Sequence, residues 1–308
     1  MNADAGNTVA GIGLLILGLF VFSVQDVIMK FFSDRMAVQE VIFARGVVSL
    51  CLVGIALYST QGAKGFSTKR PALNCLRGLC SFVCFSTFSM ALAVLPLADA
   101  MPLYYTAPLF VVIFAGPFLG ERVGLPVWAA IVVFLVARPN AGRVEPAMLL
   151  AIVSAIAYSA QILLTSRLGS SESALGMTFY LTLMFVLLSG VTGVVFGSGW
   201  MDQFAHPSAT YLFRAWNMPS LFQTALFLAL GLTGTVGFYC ISQAYRLAKA
   251  NEMAPFEYSS LPFAVLWGWL FWGALPAVTT VLGSVLIVAG GLFIVYSKLG
   301  FSHPRRRR

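Results

Sequence analysis

Charge is scarce in this chain. Of 308 residues only 10% are charged, 59% are hydrophobic, and the mean hydropathy is +0.88. A soluble protein of this length needs far more charge on its surface, so a soluble globular fold is excluded. Histidine is scarcer still. His206 and His303 are the only two, and both fall in a loop or the tail. There is no HExxH, no GxSxG and no P-loop. The sequence therefore points to no catalytic residue, no metal and no cofactor, and the chain is read as not an enzyme. Cysteine is few and odd in number. Cys51, Cys75, Cys80, Cys84 and Cys240 lie in apolar segments with neither zinc nor haem spacing, and are read as small packing residues. The stretch MNADAGNTVA has no lysine or arginine ahead of the first apolar run. It lacks the basic region of a signal peptide, so that run is expected to stay as a helix.

What is abundant is apolar runs of about the 20 residues that a membrane-spanning helix needs. Ten can be drawn, at roughly 9–31, 38–58, 73–94, 98–119, 123–137, 146–166, 174–196, 220–246, 253–272 and 278–296. The pattern is that of an all-α integral membrane protein embedded in a lipid bilayer. The net charge of +8 does not indicate nucleic acid, because four of the positive charges are Arg305 to Arg308. A basic juxtamembrane tail, here 298–308, reads as a cytoplasmic anchor. With both termini inside, thirteen lysines and arginines fall on the inner side and five on the outer. That bias supports a multi-pass inner-membrane protein with both termini cytoplasmic. The segment 197–219 carries Trp200, Phe204, Tyr211, Phe213 and Trp216, and is expected to lie in the membrane interface.

The chain repeats itself. Residues 89–122 return as 242–273 at an offset of 153: Ser89 falls on Ser242, Pro102 on Pro255, Tyr105 on Tyr258 and Gly120 on Gly273. Asp99 falls on Glu252, and Pro108 misses Pro262 by one position. Earlier, FSVQ at 22–25 returns as YSAQ at 158–161. The chain divides into 9–139 and 146–297, five spans each. An odd number of spans per half forces opposite orientations. Ten transmembrane helices as two inverted five-helix repeats around a central cavity is the architecture of secondary transporters, with the site between the halves.

Prolines inside the fourth and ninth spans break the backbone ladder, and broken helices in membranes line protein or water rather than lipid. Polar stripes at helical spacing mark the cavity side. They run Asn74, Arg77, Ser81; Ser154, Tyr158, Gln161, Thr165; and Thr235, Tyr239, Ser242, Arg246, with Ser23, Gln25, Asp26 and Lys30 on the first span. Spans 5 and 10 are left outside or at a homodimer contact. Gly231, Gly234 and Gly237 read as close packing, with hinging as the alternative.

Charges inside spans need a reason. Asp26 and Lys30 are four apart and can pair; the alternative is an outer gate or a protonatable acid. Arg45 is expected to meet Asp26 or a helix C-terminus. These three are the gating or coupling candidates. Arg77 is near enough to the inner interface to snorkel. Asp99 and Glu252 read as N-terminal helix acids. Glu257, whose repeat partner is Tyr104, is the sharpest case. It reads either as a cavity acid, in substrate contact or proton transfer, or as an acid bonded to a neighbouring helix. The candidate substrate-binding set is Gln25, Tyr104, Tyr105, Tyr158, Gln161, Tyr239, Glu257 and Tyr258, with Phe82 and Phe238 as further aromatic walls.

The run RGLCSFVCFSTFSMALAVLPLADAMPLYYTAPLFVVIFAGPFLGERV resembles the third and fourth helices of an EamA domain of the drug/metabolite transporter superfamily. FSVQDVIMKFF with VIFARG resembles the start of such a domain, and PFEYSSLPFAVLWGWLFWGALP its ninth helix. The resemblance covers nearly the whole chain as two EamA repeats. It implies ten helices, cytoplasmic termini and a pocket between the halves. The second repeat departs where an acid matching Glu121 is usual and Ala274 stands instead. The PFEY pattern resembles the bacterial branch that includes riboflavin and S-adenosylmethionine uptake carriers. The expectation is a transporter of a small metabolite, riboflavin-like or otherwise planar or aromatic. An exporter of amino acids or drugs and a non-transporting scaffold are the alternatives.

Overall fold

The computed structural model describes residues 2–32, 35–95, 100, 103, 104, 106, 107, 110, 111, 113, 114, 146–201, 203 and 206–273. The helices in order are α1 (Asn2–Phe32), α2 (Val38–Gln61), α3 (Pro71–Leu92), α4 (Ala147–Leu168), α5 (Ala174–Phe196), α6 (Pro207–Phe213), α7 (Leu221–Leu247), α8 (Ala250–Glu257) and α9 (Ser260–Trp272). A short 3₁₀ turn, Gly62–Phe66, follows α2. Six of these helices are long and apolar enough to cross a membrane, and Ser260–Phe271 is a shorter apolar one. The expected fifth and tenth spans, most of the fourth, and Tyr105, Asp99, Glu121, Ala274 and the tail lie outside the described residues.

Local chemistry sets the ends. Pro71 opens α3, where its missing N–H costs nothing. Ser173 accepts from Gly176 N to start α5, and Ser220 with Gln223 forms a capping box on α7. Gly273 ends α9 in the left-handed region, φ 60°, ψ 14°, which a side chain disfavours. The ninth span, expected as one helix over 253–272, is two. Tyr258 and Ser259 form a turn between α8 and α9. Pro262 cannot donate to the Tyr258 carbonyl and its ring would clash there. In the first turn of α9 it is tolerated.

Contacts along the helices give their directions. Phe22 meets Gly237 and Gly11 meets Ala244 and Ala248, so α1 and α7 are antiparallel. The mirror pair is α3 and α4: Arg77 meets Thr165 and Cys84 meets Ser154. Helices α2 and α5 are also antiparallel, with Gly46 on Val186 and Gly54 on Phe179. Two further contacts are parallel. Val48 and Ser49 of α2 meet Gly231 and Thr235 of α7, and Gly78 and Phe82 of α3 meet Met184 and Phe185 of α5. Hence α1, α3 and α5 run one way, and α2, α4 and α7 the other. Exchanging α1, α2, α3 for α4, α5, α7 swaps α1–α7 with α3–α4 and α2–α7 with α3–α5, leaves α2–α5 on itself, and reverses every direction.

In lipid, apolar side chains gain little by leaving one apolar medium for another, so close backbone approach matters more. Gly231 illustrates it. A Cβ there would lie 2.4 Å from Val48 Cγ1, and one at Gly78 2.5 Å from Met184 Cγ. Packing, rather than hinging, is what the described glycines of α7 do. Arg77 does not snorkel. It is 1% exposed, and donates from Nε to Thr165 Oγ1 (2.6 Å), from Nη1 to Met177 O (2.8 Å) and from Nη2 to Ser242 Oγ (2.8 Å). One guanidinium thus ties α3 to α4, α5 and α7. The aromatic segment packs across the bundle end. In it Tyr211 is buried, Ser208 Oγ donates to Met90 O, and Asn217 N donates to Glu40.

Candidate functional site: a cavity between the two halves

A cavity opens where α1, α3, α4, α7 and the α8–α9 break converge. It has about 100 Å³ open to the centre of a water-sized sphere, within about 1050 Å³ of unfilled space that includes its mouth. Its polar lining comes from Ser23, Gln25, Asp26, Ser81, Gln161 and Glu257, and its aromatic walls include Phe85, Phe88, Tyr104, Tyr158, Phe238 and Trp267. Two repeat-matched pairs meet here. Gln25 and Gln161 both line the cavity, as do Tyr104 and Glu257.

Glu257 is the last residue of α8, so the break that follows leaves its side chain at the helix end facing the cavity. It is 5% exposed. Tyr158 OH donates to both carboxylate oxygens, at 3.0 and 2.9 Å, and Tyr245 OH donates to Oε1 at 2.5 Å. The two readings of Glu257 thus merge: it faces the cavity and is bonded to neighbouring helices. Two phenol donors suit a carboxylate, since hydrogen bonds to charged groups are the stronger kind. The Tyr104 ring lies 5.6 Å from that of Tyr158 and 4.6 Å from that of Phe88, forming one side of the cavity.

Other expected residues stand elsewhere. Tyr239 is 36% exposed on the outer face of α7 and does not line the cavity. The inward face of that helix is Gly231, Gly234, Phe238, Ile241 and Tyr245, and a residue one step on is rotated by about 100°. Tyr258, in the turn, is 2% exposed, belongs to a buried apolar cluster with Leu92, Ala147 and Ala151, and is not among the cavity-lining residues. Phe82 packs on Phe185 instead of lining the site. Asp26 lines the cavity, while Lys30 and Arg45 are not among its lining residues. Arg45 is 2% exposed, with its guanidinium 3.7 Å from the centre of the Phe85 ring and 5.0 Å from that of Phe185. Arg45 Nε and Nη2, Gln25 Oε1 and Ser81 Oγ are buried without a hydrogen-bond partner among the described residues. Glu252 stands in the first turn of α8, where an N-terminal acid belongs.

Sequence reasoning missed Tyr245 and Trp267; Ser260, beside Glu257 on the expected polar side of the ninth span, does line the cavity. Tyr245 lies seven residues beyond Phe238, two turns down the glycine face, and that spacing was the available signal. Trp267 Nε1 donates to Ser23 Oγ at 2.8 Å, closing α9 onto α1.

A polytopic helical bundle with a mostly apolar cavity, carrying a few polar groups, at the meeting of two sequence-matched halves is the build of a membrane transporter. The chain belongs to the EamA-like transporter family, whose model matches residues 9–137 and again 145–296. It is 28% identical to an S-adenosylmethionine uptake transporter of Rickettsia conorii, over 97% of this chain and 96% of that one. It is 28% identical to a riboflavin transporter of Rhizobium johnstonii, over 97% and 95%. It is 27% identical to the pseudopaline exporter CntI of Pseudomonas aeruginosa, over 94% and 98%. A solved crystal structure shares the fold, with TM-score 0.69 at 18% identity over 97% of this chain and 99% of that one. The protein is a membrane transporter of a small metabolite.

Proposed function

We propose that the protein is an inner-membrane secondary transporter working by alternating access, with the described cavity as its substrate site. In this reading it has ten spans in two inverted five-helix repeats, 9–139 and 146–297, and both termini are cytoplasmic. Spans 5 and 10 lie outside or at a homodimer contact. The observation that carries the reading is the convergence of repeat-matched residues, Gln25 with Gln161 and Tyr104 with Glu257, on one cavity. A site shared by two opposed halves can be opened to one side or the other by rocking one half against the other.

The substrate is a small metabolite with a planar or aromatic part, which the ring walls would hold by stacking. Gln25, Tyr104, Tyr158, Gln161 and Glu257 would contact it, Tyr105 adding to them from the fourth span, with Asp26 in gating or coupling. Lys30 and Arg45 join Asp26 as gating or coupling residues in this reading. Direction follows the gradients rather than the pocket. The relatives include both uptake carriers and an exporter, so uptake is the leading reading and export the second.

The test is counterflow in proteoliposomes holding the full chain, with labelled riboflavin and labelled S-adenosylmethionine. Exchange above empty liposomes is expected for at least one of them, lost in Glu257→Gln. Unchanged exchange in that variant would remove Glu257 from the site. Silence with all labelled metabolites would favour a non-transporting scaffold.

A further inference from the structure

We infer that the cavity selects an organic cation: a positively charged nitrogen or sulfur centre carried on a flat aromatic body. The inference rests on the cavity being the substrate site and adds the charge of what it takes. Two carboxylates, Asp26 and Glu257, line the cavity, and no lysine or arginine does so among the described residues. The stretches expected to form spans 4, 5 and 10, residues 98–119, 123–137 and 278–296, contain no lysine or arginine. They can therefore bring no positive charge to the wall.

The two acids are not equivalent. Arg45, expected from the sequence to meet Asp26, has its guanidinium 3.7 Å from the centre of the Phe85 ring. Arg77, the other buried arginine near this level, spends its donors on Thr165, Met177 and Ser242. Among the described residues Glu257 is held by the phenols of Tyr158 and Tyr245. Phenols can hold a carboxylate in place but cannot cancel its charge. An isolated charge in low dielectric is costly, and a cation brought beside it would be strongly held.

Two independent features point the same way. Gln25 Oε1, 1% exposed on the cavity wall, has no donor among the described residues, so a ligand N–H or positive centre would complete it. The rings of Tyr104, Tyr158 and Phe88 pack on one another and line the cavity with the acid, and aromatic faces attract cations. A neutral flat metabolite would gain the stacking but leave Glu257 uncompensated. An anion would be repelled by both acids.

The experiment measures binding to the purified full-length protein by ligand-induced thermal stabilisation, with matched pairs that differ in charge. The pairs are S-adenosylmethionine with S-adenosylhomocysteine and N-methylnicotinamide cation with nicotinamide; riboflavin serves as a neutral flat probe. The charged member of a pair is expected to bind about tenfold or more tightly than its neutral twin, the size of one charge-assisted contact. Glu257→Gln is expected to bring the two within about threefold by weakening only the charged member. Equal binding within a pair in the parent protein, no binding by any cationic member, or an unchanged ratio in Glu257→Gln would each overturn the inference. The parent comparison needs no variant, so a misfolded Glu257→Gln does not rescue it. Flux of a neutral metabolite without cation binding would overturn the charge assignment and leave the transporter. Cation binding without flux would do the reverse.

Discussion

Replacing Arg77 by methionine should destabilise the protein strongly. Methionine has a similar reach and fits an apolar interior, so the volume lost is small and the missing hydrogen bonds dominate. Three are removed, at 2.6, 2.8 and 2.8 Å. Thr165 still donates to Gln161 O, so its hydroxyl keeps one partner. Ser242, 0% exposed, is left with its oxygen short of a donor. A charge-assisted bond is worth about 1.5–3 kcal/mol and an orphaned buried group costs about 1–3 kcal/mol. Against this stands relief of the guanidinium's desolvation, which can offset much of the gain. The partners left behind are neutral, so no bare charge remains, and the net expected loss is about 2–3 kcal/mol, the cost of orphaned buried groups. At about 2–4 °C per kcal/mol, this lowers the midpoint in a detergent melting assay by about 4–12 °C. The double variant with Ser242→Ala should be less destabilised than the sum, by about 0.5–3 kcal/mol. A midpoint for Arg77→Met within about 2 °C of the parent would refute the idea that this guanidinium ties four helices together.

Tyr245→Phe removes the 2.5 Å bond to Glu257 while keeping the ring in its core cluster. Counterflow should fall about tenfold, the value of one charge-assisted bond, with thermal stability changed less than in Arg77→Met; undiminished exchange would count against a role for that bond. Tyr239→Phe is the opposite case. Its side chain is on the outer face, so exchange should stay within about twofold of the parent, a surface substitution being worth about 0.5 kcal/mol or less, and a large loss would mean that this face of α7 turns inward during transport. Gly231→Ala places a methyl group against Val48, and overpacking of about 1–3 kcal/mol should show as a lower melting midpoint. Equal stability would show that α2 and α7 can separate freely at that point.

The sequence alone determined a good deal. Low charge and long apolar runs set the membrane class, because hydrocarbon admits spanning helices whose backbone groups bond within the segment. The repeat offsets named the residues that meet: Gln25 with Gln161, and Glu257 at the place of Tyr104. Glu257 stood out as an acid with no counterpart, and it does face the cavity. What only the tertiary structure decided is which side of each helix faces inward. In lipid both faces of a helix can be apolar, so polar periodicity is a weak guide to the interior. On α7 the stripe through Thr235, Tyr239, Ser242 and Arg246 looked like the inner face, and of these Ser242 is buried. Close approach of α1 and α2 to Gly231, Gly234 and Gly237 turned the helix instead, sending Tyr239 outward and Tyr245 onto Glu257. The same holds for Arg77 and Arg45. A residue's position along a span says how far it is from water, but not whether hydroxyls, carbonyls or aromatic rings from three other helices will arrive around it.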